Sequence, residues 1–261
     1  MADYLAWLCY DGQVGLSTGL HAYSGFSAVY CECIGRLPES ARAIKAWQKL
    51  EILGEGAPIP WLGVGAIASW MKDQQQPNYD IAADLCLIAA DCYLRQSDWS
   101  LANFEDLSIS SEHGVALHLG VPERGESTKT GVRQGVRPDH SGVADLLQQY
   151  KSKSQPGQRL FGLSPSQFAH CWRCACKALD YDAGPAHTLR HVGPSFDMLC
   201  GYRSLDQVRV RGRWRAKTSV LRYAKTHTLI AAENRFPDRL RNSGEAFLSR
   251  YLGGRSGVSI N

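Results

Sequence analysis

The spacing of apolar and polar positions changes character three times along the chain. Up to about residue 53 it is helical throughout, with apolar-rich stretches at 20–34 and 39–50. The pattern then breaks at Gly54-Glu55-Gly56-Ala57-Pro58-Ile59-Pro60, where two glycines and two prolines mark a linker. A domain boundary is expected there, separating a helical region at 1–55 from a larger domain at 56–261. Past the linker, helices are predicted over 62–71 and 79–94, the latter rich in Ala, Leu and Ile with Asp80 near its start. At 107–110 and 115–119 the period drops to two, as in half-buried strands, and 131–136 offers a third strand. The segment 121–130 between them reads as an exposed hairpin loop whose basic member is Lys129. Helices then resume. Ser164-Pro165 supplies an N-cap with proline at the first helical position, and Ser204 with Gln207 forms a capping box for a short helix toward Val210. The predicted class is mainly α with a small antiparallel β-sheet.

With 261 residues, 44% of them apolar, the chain suffices for a main core beside a small helical satellite. The net charge of +4 is modest but unevenly spread. Between Arg203 and Lys225 stand Arg209, Arg211, Arg213, Arg215, Lys217 and Arg222 against the single acid Asp206, interleaved with Trp214 and Tyr223. Such density suits a phosphate backbone, with Arg209, Arg211, Arg213, Arg215 and Lys217 as candidate DNA contacts; the alternative is a solvated helix face. The nine cysteines are odd in number and sit in hydrophobic, helix-like surroundings, which favours free buried thiols in a reducing compartment over disulfides. Cys171, Cys174 and Cys176 lack a second pair at finger-like spacing, so no metal is expected. Neither a basic leader nor an apolar run of the roughly 18–20 residues that a membrane span needs is visible. An intracellular, soluble protein is expected.

The strongest local motif is His187-Thr188-Leu189-Arg190-His191, followed by the basic stretch and by Trp214 and Tyr223, nine residues apart. Here the chain resembles the tyrosine recombinase (phage integrase) family. That family carries a His-x-x-Arg, then a His or Trp about two dozen residues on, then its nucleophilic Tyr nine residues later. Its first arginine lies in a Leu-Arg-x-Ser-Glu-like motif before the sheet, matched by Leu94-Arg95-Gln96-Ser97-Asp98, and its lysine lies in the strand-connecting loop, matched by Lys129 or, in the same neighbourhood, Arg124 or Arg133. The resemblance covers roughly residues 56–230. It implies a catalytic set of Arg95, Lys129, His187, Arg190, Trp214 and Tyr223, supported by His191 and Asp98. It also implies a truncated core-binding region at 1–55, double-stranded DNA as partner, and a tetramer on paired sites. The segment 237–252 would then be either a helix docking on a neighbouring subunit or one packed on its own domain.

Chemistry gives independent reasons for these residue types. Attack on a phosphodiester gathers charge on two non-bridging oxygens, and guanidinium groups donate paired hydrogen bonds to it without losing their own charge. Tyrosine is a poor nucleophile at its ordinary pKa of about 10, so a base such as His187 must take the phenolic proton while an acid such as Lys129 protonates the departing 5′ oxygen. A covalent 3′-phosphotyrosine conserves the energy of the broken bond. No cofactor is then required, and the sequence offers neither a Walker-type glycine loop nor carboxylates clustered for two-metal catalysis.

Duller roles exist for each residue: Arg95 pairing with Asp98, His187 standing at a helix start after Gly184-Pro185, Trp214 filling the core. The chain also departs from the family pattern, with Arg213 where relatives that carry histidine at the Trp214 position usually place a glycine just before it, and Gly212 one residue earlier. The expected function is site-specific recombination or integration of mobile DNA. Type IB topoisomerase-like strand relaxation, or a catalytically silent DNA-binding protein, are the alternatives.

Overall fold

The computed structural model describes residues 1–12, 14–50, 58–126, 133–224 and 226–255. Contacts divide the chain into two compact units, Met1–Glu55 and Gly56–Asn261. The first is built from α1 (Ala2–Tyr10), α2 (Leu16–Val29) and α3 (Pro38–Leu50). Leu5 and Leu8 of α1, Leu16 of α2, and Ile44 and Trp47 of α3 close a small core of their own.

The second unit is mainly helical and carries one three-stranded antiparallel sheet. Its centre is α5 (Pro77–Asp91), in which every residue from Ala82 to Asp91 is buried. A helix apolar on all sides must be covered on all sides. Here α4 (Trp61–Asp73), α7 (Ser141–Lys153), α8 (Pro165–Ala178) and α9 (Leu189–Leu199) pack around it. The sheet runs β1 (Leu107–Ser110), β2 (Gly114–Leu119), β3 (Gln134–Val136), with Leu107 opposite Leu117 and Leu117 opposite Val136. These side chains are buried, and the predicted alternation holds in β2, where Val115, Leu117 and Leu119 face the core; in β1 only Leu107 is buried, and Ile109 is exposed. The third strand is shorter than the 131–136 expected from the sequence, and 131–132 lie outside the described residues.

Helix α5 stops at Asp91, three residues before the predicted end at 94. Tyr93 turns to φ +52°, and the Leu94 N–H closes the helix on the Ala89 carbonyl at 3.0 Å. This left-handed closure usually falls to glycine; here the phenol of Tyr93 is buried and donates to Asp197. Arg95 then opens α6 (Gln96–Ser100). The predicted N-cap and capping box are both present: Ser164 opens α8, in a capping box of its own with Gln167, and Ser204 opens α10 (Leu205–Arg211), each Oγ accepting from the Gln N–H three residues on at 3.3 Å.

The chain ends with α11 (Thr226–Asn234) and α12 (Asp238–Tyr251). Helix α12 packs along α4 of its own unit, with Phe247 in the core. Their backbones meet at glycines: a Cβ on Gly65 would lie 2.6 Å from the Gly244 carbonyl oxygen, and one on Gly244 2.5 Å from that of Leu62.

Candidate active site

Four of the residues singled out in the sequence converge in the second unit. Arg95 stands at the entry to α6, Arg190 in the first turn of α9, Trp214 in the turn after α10, and Tyr223 in the 3-10 helix Lys217–Ala224. A cleft of about 310 Å³ is lined by Arg95, His191, Trp214, Arg215, Arg222 and Tyr223. The Trp214 indole sits between the key groups: its ring centre is 5.2 Å from that of Tyr223, and the Arg190 guanidinium lies 4.6 Å over it. Gly212 makes room for this, since a Cβ there would overlap the indole.

Arg190 is buried, and its two terminal nitrogens donate to the carbonyls of Tyr93 and Gly212, each at 2.5 Å. Burial, then the neighbouring Arg95 and Arg213, push its pKa down to about 9, which still leaves it cationic at neutral pH. Asp98 is the acid of this cluster. Its carboxylate accepts the Arg95 backbone N–H at 2.8 Å and pairs with Arg213 at 3.0 Å, with Arg190 farther off at 3.7 Å. The Arg95 guanidinium instead reaches the Arg213 carbonyl at 3.4 Å, leaving its Nη1 buried without a partner among the described residues. Guanidinium groups in excess of carboxylate, with an unsatisfied donor beside an open cleft, suit an oxyanion.

The phenol of Tyr223 is buried and lies 2.5 Å from Nδ1 of His191. Burial pushes the Tyr223 pKa up, against the opposing pull of Arg222 and Arg190. It pushes that of His191 down to about 4, helped by Arg222, His187 and Arg190. A neutral imidazole therefore meets a protonated phenol, the pairing in which the ring nitrogen accepts. The expectation that His187 contacts the phenol is corrected: His187 is exposed in the 3-10 turn Ala186–Thr188, its ring centre 6.1 Å from that of His191. It borders a second cavity, of about 110 Å³, whose lining includes Arg95, Arg190 and His191. The adjacency of a second histidine to Arg190 was the available signal for His191; nothing in the spacing distinguished the two rings.

Lys129 lies outside the described residues. Its two basic neighbours are engaged, Arg124 with Asp106 at 2.6 Å and Arg133 with Glu123 at 2.5 Å. Of the residues expected to meet DNA, Arg215 and Lys217 are exposed and Arg209 is half-exposed beside Asp206 at 3.3 Å. Arg213 and Arg211 require correction. Both turn inward, Arg213 to Asp98 and Arg211 to Asp139 at 3.0 Å and the Asp91 carbonyl at 2.9 Å, because buried carboxylates compete for them. A network around Asp197 escaped the sequence reading: Asp197 takes the Tyr93 hydroxyl, Arg203 and Arg255, and both arginines also reach Asp139. The nine cysteines are free, but only Cys86, Cys92 and Cys171 are buried, while Cys31 and Cys200 are exposed. Among the described residues no group of three or more His, Cys, Asp or Glu is placed to hold a metal ion, and no helix is long and apolar enough to cross a membrane.

No protein-family model matches the chain, and no curated protein matches it. Among solved structures it is similar to the Tn1549 transposon integrase (residues 82–397) in complex with circular intermediate DNA, at 15% identity and a TM-score of 0.46, over 77% of this chain and 79% of that one. It is also similar to the XerA recombinase, at 12% identity and a TM-score of 0.47, over 90% and 91%.

Proposed function

We propose that the second unit breaks and rejoins DNA strands by the chemistry of tyrosine recombinases, with Tyr223 as nucleophile. The observation that carries this reading is one cleft bordered by a phenol hydrogen-bonded to a neutral imidazole and by the guanidinium groups of Arg95, Arg215 and Arg222, with Arg190 stacked on the Trp214 ring of its wall. Arg95 and Arg190 hold the non-bridging oxygens of the scissile phosphate, and Trp214 sets the spacing between Arg190 and Tyr223. The phenol oxygen attacks phosphorus as its proton passes to Nδ1 of His191. The 5′ oxygen departs with a proton from a general acid, the role assigned to Lys129. Reversal by a 5′ hydroxyl releases Tyr223 and reseals the strand. Arg215, Lys217 and Arg209 steady the flanking backbone.

The test is covalent trapping. A pool of nicked duplexes of randomised sequence should leave DNA attached to the protein after denaturation, and Tyr223→Phe should abolish the adduct while still shifting DNA in a gel. An adduct that survives the substitution rejects Tyr223. Relaxation of supercoiled plasmid without recombinant products would assign the same chemistry to a topoisomerase.

A further inference from the structure

Arg213 holds φ +58°, a backbone conformation in which glycine is at ease and a residue with a Cβ is strained. Its side chain is nevertheless buried and tied down, with Nη2 donating to Asp98 at 3.0 Å and to the Tyr93 carbonyl at 2.9 Å, and Nη1 to the Arg211 carbonyl at 3.3 Å. The Tyr93 carbonyl is the one that also anchors Arg190. Arg190 itself donates to neutral carbonyls, and the nearest carboxylate stands 3.7 Å away because Arg213 holds it. Without that grip, a buried Asp98 would close on Arg190 and cancel the charge meant for the ligand.

We infer that Arg213 is a positioning residue of the oxyanion site, which occupies the Asp98 carboxylate so that Arg95 and Arg190 present uncancelled positive charge to a bound phosphate. The inference rests on the proposed phosphate-binding role of the cleft and adds a third guanidinium that never touches the phosphate. It also accounts for a strained arginine at a glycine-favouring position, since the ion pair offsets the backbone cost.

The experiment titrates inorganic phosphate into the full chain at low ionic strength, by calorimetry or phosphorus NMR, for the wild type, Arg213→Gly, Arg213→Asn and the double variant Arg213→Gly/Asp98→Asn. Glycine and asparagine both tolerate the left-handed backbone, so a folding defect in one variant leaves the other to decide. The Asp98→Asn change keeps an oxygen for the Arg95 N–H. Each single variant should bind phosphate about tenfold more weakly. The double variant should return to within about threefold of the wild type, because the freed carboxylate is gone. A merely structural Arg213 would give no such rescue. Equal affinity in the folded single variants, or a double variant as weak as the singles, overturns the inference. Should the affinity ranking hold while no Tyr223 adduct forms, strand cleavage fails and the role of Arg213 stands. An adduct in the wild type with a flat ranking has the opposite meaning.

Discussion

Replacing His191 by leucine removes the acceptor of the Tyr223 proton and keeps roughly the bulk of the ring. At the ordinary phenol pKa of about 10, roughly one tyrosine in 10³ is ionised at pH 7. Burial raises the pKa of Tyr223 above that, so the ionised fraction is smaller still. In the proposed reaction, attack therefore depends on transfer of the proton to the imidazole nitrogen 2.5 Å away. A positioned base contributes about 10²–10⁴ in rate, so His191→Leu should slow single-turnover adduct formation by that factor. The stranded hydroxyl should also cost about 1–3 kcal/mol of stability. The pH dependence follows from the same pair. Because His191 stays neutral down to about 4, the wild-type rate should hold level through 6.5 and fall only as pH approaches 4. The depressed pKa likewise contributes stability that is complete above the ordinary histidine value of about 6.5 and is lost as pH falls through about 4. A His191→Leu rate within about threefold of the wild type, with the adduct still on Tyr223, would refute the reasoning. So would a larger loss from His187→Leu.

Gly212→Ala drives a methyl into the Trp214 ring and should cost about 1–3 kcal/mol in urea denaturation, with an altered tryptophan emission and slower cleavage. Gly244→Val separates α12 from α4 and should lower the melting temperature by about 5 °C or more, read by circular dichroism. Arg215→Ala and Lys217→Ala, at exposed positions, should each reduce the slope of log affinity for DNA against log salt by about 0.9. Arg211→Ala should leave that slope unchanged and lower stability instead, since Arg211 is committed to Asp139.

What the sequence disclosed was periodic or local. The buried run of α5, the alternation of β2, the Ser164-Pro165 cap and the Ser204–Gln207 capping box are written in neighbouring residues, and each appears at its place. The order of Arg95, Arg190, Trp214 and Tyr223 could be read along the chain, although the meeting of Arg95, Trp214 and Tyr223 in one cleft, with Arg190 stacked on Trp214, could not. The errors share a physical cause. Arg211 and Arg213 look like their exposed neighbours until Asp139 and Asp98, far off in the chain, draw them inward. His187 and His191 are indistinguishable until burial separates them. The early end of α5 at Asp91 depends on a tyrosine in a left-handed turn, stabilised by an aspartate more than a hundred residues later, which no local propensity encodes.

Tyr93 is held at both extremities, its hydroxyl by Asp197 and its carbonyl by Arg190 and Arg213. A single amino acid thus works as a strut between the carboxylate cluster that Arg203 and Arg255 brace and the buried guanidinium pair Arg190 and Arg213. Remodelling the braced end would tilt the strut and shift Arg190 and Arg213 without any change to either side chain.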